Sequence, residues 1–135
     1  MNKPIIVKYK PNFVDFTLIG ISSHENDYRL SWSFNEQFRL GFVRGNSFTT
    51  GDGKEFTCFS HLDDYQKIML VSNRCDNGFL LEKYKNLDFI LKFDVPLDET
   101  EITDWLQNLK KASLISAAFV IPVNKQVSQL LERLS

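Results

Sequence analysis

Apolar residues recur along this chain with two spacings, one typical of strands and the other typical of helices. The stretch 16–21 is almost continuously apolar and predicts a buried strand over about 13–21. Ser22 and Glu25 then have the spacing of a capping box, in which each side chain satisfies a backbone N–H of the first helical turn. A strand is therefore predicted to turn directly into a helix at this point.

The segment after that corner fits two patterns. Apolar residues alternate with polar ones from Tyr28 to Phe34, as they do in a half-buried strand. Leu30, Phe34 and Phe38 also follow one another at intervals of four residues, as on one face of a helix. We favour the helical pattern, which predicts a helix over about 23–37.

In the remainder of the chain, the apolar pattern predicts further strands and two more helices, which are separated by turn residues or proline. Asp98 and Glu101 repeat the capping spacing ahead of a helix over about 99–111. A short amphipathic helix near the C-terminus is predicted either to pack on its own domain, which is favoured, or to bind a partner. The other predicted strands span 39–44, 55–61, 67–72, 87–93 and 114–121, with an irregular or edge strand at 3–9.

The order of these elements predicts the class of fold. Residues 55–61 and 67–72 pair most simply as an antiparallel hairpin. Without that hairpin the order is strand-helix-strand-strand-helix-strand, which is typical of a ferredoxin-like or ACT-like, largely antiparallel sheet with two helices on one face. We therefore predict a single α+β domain over residues 1–135, with an added β-hairpin and a short C-terminal helix.

Charge and composition narrow the class of protein. The formal charge is −1 and the 16 basic residues are scattered, whereas nucleic-acid binders usually carry a basic face, so a nucleic-acid partner is disfavoured. No apolar stretch approaches the roughly 18 residues that span a membrane. The only two cysteines, Cys58 and Cys75, have no recognisable paired spacing. These features predict a cytoplasmic protein with reduced thiols and no membrane contact.

The predicted first helix carries the most conspicuous polar and amphipathic side chains. Arg29 could present its fork of donors to a carboxylate or phosphate, with Tyr28 and Trp32 as an aromatic wall beside it. In the alternative, which is favoured, Trp32 belongs to the core, Arg29 pairs with a neighbouring acid and Asp27 interacts with the helix dipole. Together with Asn35, these residues form the first part of a predicted interaction or ligand surface.

Glu82 and Asp88 form the second part of that predicted surface. They could act as an acid–base pair if their environments separated their pKa values, but a structural or interface role is favoured. Cys58 and His61 should lie on opposite faces of a strand, which disfavours a nucleophilic dyad. Residues 51–54 lack the spacing of a phosphate-binding loop and are predicted to be a hairpin tip. No catalytic residue, cofactor or metal ligand is predicted.

Several short motifs are distributed over the chain, at 18–23, 27–30, Trp32, Asn35, 70–73, Glu82 and 87–89. They resemble those of the IPExxxVDY family, which comprises small proteins of Bacteroidetes bacteria. In this chain Leu80-Leu81-Glu82 stands in place of the family's Ile-Pro-Glu, and Phe89 replaces the final tyrosine of its motif. The resemblance implies that Glu82 and Asp88 are motif residues, but it implies no activity.

The sequence thus predicts a non-catalytic, cytosolic protein-interaction or regulatory module. Its partner is expected to be a second copy of the chain, giving a homo-oligomer, or an unidentified cytosolic protein. The working surface is expected to combine the Tyr28–Trp32 flank with the Glu82–Asp88 segment. Two alternatives stay open: an ACT-like sensor in which Arg29 anchors a small carboxylate or amino acid, and a nucleic-acid-associated protein.

Overall fold

The computed structural model describes residues 16–134, which form a mixed α+β fold as predicted. The edge strand predicted over 3–9 lies outside the described residues. The helices are α1 (Asp27–Phe38), α2 (Glu99–Lys110) and α3 (Lys125–Leu131). The strands are β1 (Thr17–Ser22), β2 (Val43–Arg44), β3 (Phe48–Thr49), β4 (Glu55–Phe56), β5 (Cys58–Leu62), β6 (Lys67–Ser72), β7 (Arg74–Cys75), β8 (Gly78–Phe79), β9 (Phe89–Phe93) and β10 (Ala117–Ile121).

A six-stranded sheet with the order β10-β1-β9-β6-β5-β2 organises the fold, and each pair of neighbouring strands is antiparallel. β1 is paired on both sides, so that its central residue Gly20 lies opposite Ile90 of β9 and Phe119 of β10. Two small hairpins, β3–β4 and β7–β8, form separate two-stranded sheets. The near-continuous apolar pattern of β1 is therefore that of a strand covered on both faces.

The predicted hairpin of 55–61 and 67–72 does form, as β5 and β6, but the prediction that it is an addition to the sheet is wrong. β6 pairs directly with β9, from Ile68 opposite Phe93 to Ser72 opposite Phe89. The strand predicted over 39–44 is reduced to β2 at the sheet edge. The physical reason is burial, because β6 offers apolar residues to both faces whereas both residues of β2 are exposed.

The predicted capping box of Ser22 and Glu25 is also wrong. Ser22 is still part of β1, where it pairs with Ala117 of β10, so it cannot start the helix. The N-cap of α1 is Asn26, whose side-chain oxygen accepts a hydrogen bond of 2.9 Å from the backbone N–H of Arg29. The helix therefore begins four residues later than predicted, at Asp27.

The capping box predicted for the second helix is confirmed. The backbone N–H of Glu101 donates to Asp98 Oδ1 at 2.8 Å, and the backbone N–H of Asp98 donates to Glu101 Oε1 at 3.1 Å. These two bonds fix the start of α2 just after Pro96. In the part of the chain described, no helix combines the length and the apolar character needed to cross a bilayer.

The sheet separates two apolar cores, which we call the helix-side core and the hairpin-side core. The helix-side core holds Leu30 and Phe34 of α1 and Leu109 of α2, so both helices lie on one face as predicted. The hairpin-side core is covered by β3–β4, by residues 80–87 and by α3. Leu131 of α3 is buried there, and so is Leu134, which follows the helix. α3 therefore packs on its own domain, as favoured from the sequence.

Candidate functional site

The two aromatic residues of the predicted surface lie one turn apart on α1 and are largely exposed. Trp32 is 64% exposed and Tyr28 is 61% exposed, so the alternative in which Trp32 belongs to the core is wrong. The ring of Tyr28 meets Phe59 of the helix-side core edge-on, with 5.7 Å between centroids. Tyr28 therefore contacts the core at one edge of its ring, while most of its side chain is open to solvent.

This exposed surface continues onto the edge of the sheet. The guanidinium of Arg44 lies over the Tyr28 ring, 5.7 Å from its centroid, and connects α1 to β2. Val43, the other residue of β2, is 69% exposed. Within residues 16–134, no strand pairs with the outer side of β2. We call Tyr28, Trp32, Val43 and Arg44 the α1–β2 surface.

Asn35, also predicted to belong to the surface, is part of the scaffold beneath it. Its side-chain amide donates to the carbonyl of Phe42 at 3.1 Å, and its side-chain oxygen accepts from the backbone N–H of Phe42 at 2.7 Å. The side chain of Asn35 thus satisfies both the backbone N–H and the backbone C=O of Phe42, which lies just before β2. These bonds hold the segment before β2 against α1 and so fix the position of the edge strand.

The charged residues Asp27 and Arg29 have local partners. Arg29 Nε lies 3.3 Å from Glu25 Oε1, in a solvent-exposed pair of the kind that contributes little to stability. Asp27 Oδ1 accepts a hydrogen bond of 2.8 Å from the backbone N–H of Tyr28 in the first helical turn. Arg29 therefore pairs with a neighbouring acid and Asp27 lies in the first turn of the helix, as in the alternative that was favoured from the sequence.

His61 of β5 also holds the segment before β2 in place, through a hydrogen bond to Gly41. Its Nδ1 accepts from the backbone N–H of Gly41 at 2.9 Å, so Nε2 carries the proton and donates to Asp63 Oδ2 at 2.8 Å. The hydrogen bond from His61 lowers the pKa of Asp63, with help from the backbone N–H groups that follow it. Cys58 faces the hairpin-side core, where burial raises its pKa. It therefore does not form a dyad with His61.

Glu82 and Asp88 each contact a different cation. Asp88 Oδ1 accepts from Arg74 Nε at 2.7 Å, while its Oδ2 accepts from the backbone N–H of Ser23 at 2.8 Å. Glu82 Oε1 lies 3.4 Å from Lys54 Nζ. Asp88 thus ties the end of β1 to β7, and Glu82 lies over the β3–β4 hairpin.

The two parts of the predicted surface lie on opposite faces of the sheet. Tyr28 contacts Phe59 of the helix-side core. Glu82 contacts Lys54 of the β3–β4 hairpin, whose apolar residues belong to the hairpin-side core. The structure therefore gives two separate places for a partner or ligand, and only the first contains the aromatic residues.

The second place is a cavity of about 530 Å³ that the sequence did not reveal. It lies between the tip of the β3–β4 hairpin, the segment from Phe79 to Tyr84 and the first turns of α3. The hairpin tip itself was predicted correctly, but nothing in the sequence brought it to the other two segments. The cavity is lined by Thr50, Gly51, Asp52, Lys54, Phe79, Leu80, Leu81, Glu82, Lys83, Tyr84, Asn124, Gln126, Val127 and Leu130.

Lys54 is the least exposed of the charged side chains that line this cavity. Its side chain is 19% exposed, and Nζ lies 3.1 Å from Asp52 Oδ2 and 3.4 Å from Glu82 Oε1. The hydrogen bond with Asp52 raises the pKa of Lys54. The lysine stem crosses Gly78 so closely that a Cβ there would lie 2.9 Å from Lys54 Cε. The absence of a side chain at Gly78 therefore leaves room for the lysine.

Replacing Thr50 by valine is expected to raise the pKa of Asp52 toward its ordinary value. The hydroxyl of Thr50, which donates to Asp52, is the largest cause of the lowered pKa, ahead of Lys54. Because the folded-state pKa lies below the unfolded one, Asp52 stabilises the fold above its ordinary pKa, and this contribution is lost as the pH falls below it. Carboxyl ¹³C NMR titration measures the shift.

Asp63 is the internal control for that titration, because its lowered pKa depends on His61. An unchanged pKa of Asp52 in Thr50→Val, or an equal change at Asp63, would contradict the assignment of the cause to Thr50.

Among residues 16–134, no three or more His, Cys, Asp or Glu side chains are grouped so as to hold a metal ion. The chain matches no protein-family model, and no curated protein matches it significantly. The two sites themselves are therefore the basis for a proposed function.

Proposed function

We propose that this protein is a non-catalytic protein-interaction module that binds its partner through the α1–β2 surface. The observation that carries the proposal is the exposure of Trp32 and Tyr28 on successive turns of one helix, beside an open sheet edge. Large aromatic side chains are seldom left this accessible in groups on the surface of a monomer unless a partner covers them.

The composition of this surface supports a protein partner. Tryptophan, tyrosine and arginine are the residue types most enriched among those that dominate binding energy in protein interfaces. Tyr28 is already held between Phe59 and Arg44. Because its ring is ordered before binding, little conformational entropy is lost when a partner covers it.

The edge strand offers a second mode of contact. The outer side of β2 presents backbone N–H and C=O groups, with which an extended segment of a partner can pair. A second copy of this chain could do so through the same edge and produce a closed, two-fold dimer. Self-association is therefore the first form of the interaction to test.

Trp32→Ala is expected to abolish the interaction and leave the fold intact. The test measures the mass of the purified protein by analytical ultracentrifugation and the proteins retained from its own cytosol at moderate salt. Val120→Ala is the control, because Val120 is also exposed but lies on β10, at the opposite edge of the sheet. Circular dichroism checks that each variant is folded.

A dimer, or a stoichiometric protein partner, that is lost in Trp32→Ala and kept in Val120→Ala is the expected result. A monomer without a retained protein would contradict the proposal, and so would a partner retained equally by both variants. Retention of nucleic acid that falls steeply with salt would instead favour the nucleic-acid alternative.

The resemblance to the IPExxxVDY family stays a prediction. Asn73 and Asp88, two residues that carry it, connect backbone segments to one another in this chain. These two motif residues therefore support a shared architecture as a basis of the resemblance, while the proposed binding surface depends on the exposure of Tyr28 and Trp32 and on the open edge of β2.

A further inference from the structure

We propose that the cavity beside Lys54 binds a small zwitterion with an apolar body, such as an apolar amino acid or a short apolar peptide. The cavity lies on the hairpin side of the sheet, away from the α1–β2 surface. Its ligand is therefore independent of any protein bound at α1, and the two proposals can be tested separately.

The size and the apolar lining of the cavity fit a small molecule. Its volume of about 530 Å³ lies within the range of roughly 300–1,000 Å³ that is typical of small-molecule sites. Leu81 lies on one side and Val127 and Leu130 of α3 lie on another. An aliphatic or aromatic ligand body would be removed from water between these side chains.

The charges of the lining select for a zwitterion. Asp52 and Glu82 carry two negative charges, and Lys54 and Lys83 carry two positive charges, so the charged side chains that line the cavity sum to zero. A multiply charged anion such as a nucleotide would meet carboxylates as often as ammonium groups. A ligand that carries its own ammonium and carboxylate can satisfy both signs.

The ion pairs show how such a ligand would be accommodated. The contact of Lys54 with Asp52 is short, whereas that with Glu82 is 3.4 Å long and involves a carboxylate that is 69% exposed. A ligand carboxylate can take the place of Glu82 on Lys54. The displaced Glu82 is then free to receive the ligand ammonium, and the number of ion pairs rises.

The groups that would receive the ligand are held in place from behind. The backbone N–H of Leu81 donates to Asn73 Oδ1 at 2.8 Å, which fixes the apolar side of the cavity. Asn124 accepts from the backbone N–H of Val127 at 2.8 Å and caps α3. The cavity is thus formed before the ligand arrives, which reduces the entropic cost of binding.

The test is isothermal titration calorimetry of the full chain with leucine, leucyl-leucine, N-acetyl-leucine and leucinamide. N-acetyl-leucine lacks the ammonium and leucinamide lacks the carboxylate, so each analogue tests the contribution of the charge that it lacks. Lys54→Met keeps the stem over Gly78 but removes the ammonium, and Val127→Trp fills the cavity. Asn108→Ala, on the exposed face of α2, is the control, and circular dichroism checks folding.

Leucine or leucyl-leucine should bind the unmodified chain. Both single-charge analogues, and the Lys54→Met variant, should bind at least tenfold more weakly, while Val127→Trp should abolish binding and Asn108→Ala should leave it unchanged. The proposal is overturned if neither zwitterion binds at millimolar concentration, if an analogue binds as tightly as its parent, or if folded Val127→Trp retains the affinity.

Discussion

Replacing Asn73 by alanine is expected to lower the free energy of unfolding by about 3–5 kcal/mol, because the substitution leaves buried backbone groups without partners. Asn73 is fully buried, and its side-chain oxygen accepts from the N–H of Leu81 at 2.8 Å. Its amide donates to the carbonyls of Leu87 at 3.0 Å and of Tyr84 at 2.9 Å. The Tyr84 carbonyl also accepts from the N–H of Leu87, so that group keeps one bond.

The experiment is chemical denaturation of Asn73→Ala beside Asn108→Ala. Asn108 is exposed on α2, where alanine is a good helix former, so its replacement should change the free energy of unfolding by no more than about 0.5 kcal/mol. Equal losses in the two variants would contradict the role given to Asn73. An expected secondary effect is faster amide exchange at Leu81.

Replacing Gly20 by alanine is expected to cost about 1–3 kcal/mol, since the added methyl group overpacks the hairpin-side core. An ideal Cβ at Gly20 would overlap Leu87 Cδ1 and would lie 3.1 Å from Ile121 Cδ1. Both neighbours are almost completely buried, so they have little room to move. Gly20 thus allows residues 80–87 to approach the middle of the sheet.

Gly45→Ala is the matched control, because nothing lies within 4 Å of a Cβ at that position. Its effect should stay within about 0.5 kcal/mol. Shortening the obstructing side chain should relieve the overpacking, so Gly20→Ala with Leu87→Val is expected to cost less than the sum of the two single variants. Strict additivity, or equal losses at Gly20 and Gly45, would contradict the argument.

The sequence predicted most elements of the fold but not the order of its sheet. Leu30 and Phe34 revealed α1 because an interval of four residues reports burial on one face of a helix. The neighbour of β9 could not be predicted in this way, since apolar patterning reports that a strand is buried and says nothing of which strand pairs with it. The helix start was missed because Ser22 matches a cap locally while β10 keeps it in a strand.

The candidate site was predicted only in part, for a related reason. The sequence placed Tyr28 and Trp32 beside the helical stripe, but an aromatic residue at the border of a stripe can turn inward or outward, and only the packing of β2 and β5 decides. The cavity was missed altogether. Lys54, Glu82 and Val127 are far apart in the chain, and no local spacing links them.

The most direct test of the central claim, that the α1–β2 surface binds a protein, is photocrosslinking from Trp32. A photoreactive benzoyl-phenylalanine replaces Trp32 in one strain of the source organism and Val120 in another, so the same probe reports from both edges of the sheet. This residue is itself large and aromatic, so, unlike alanine, it keeps the aromatic contact at position 32. The claim predicts one discrete crosslinked protein, or a crosslinked dimer, from position 32 and none from position 120. No product from position 32, or the same product from both positions, would contradict it.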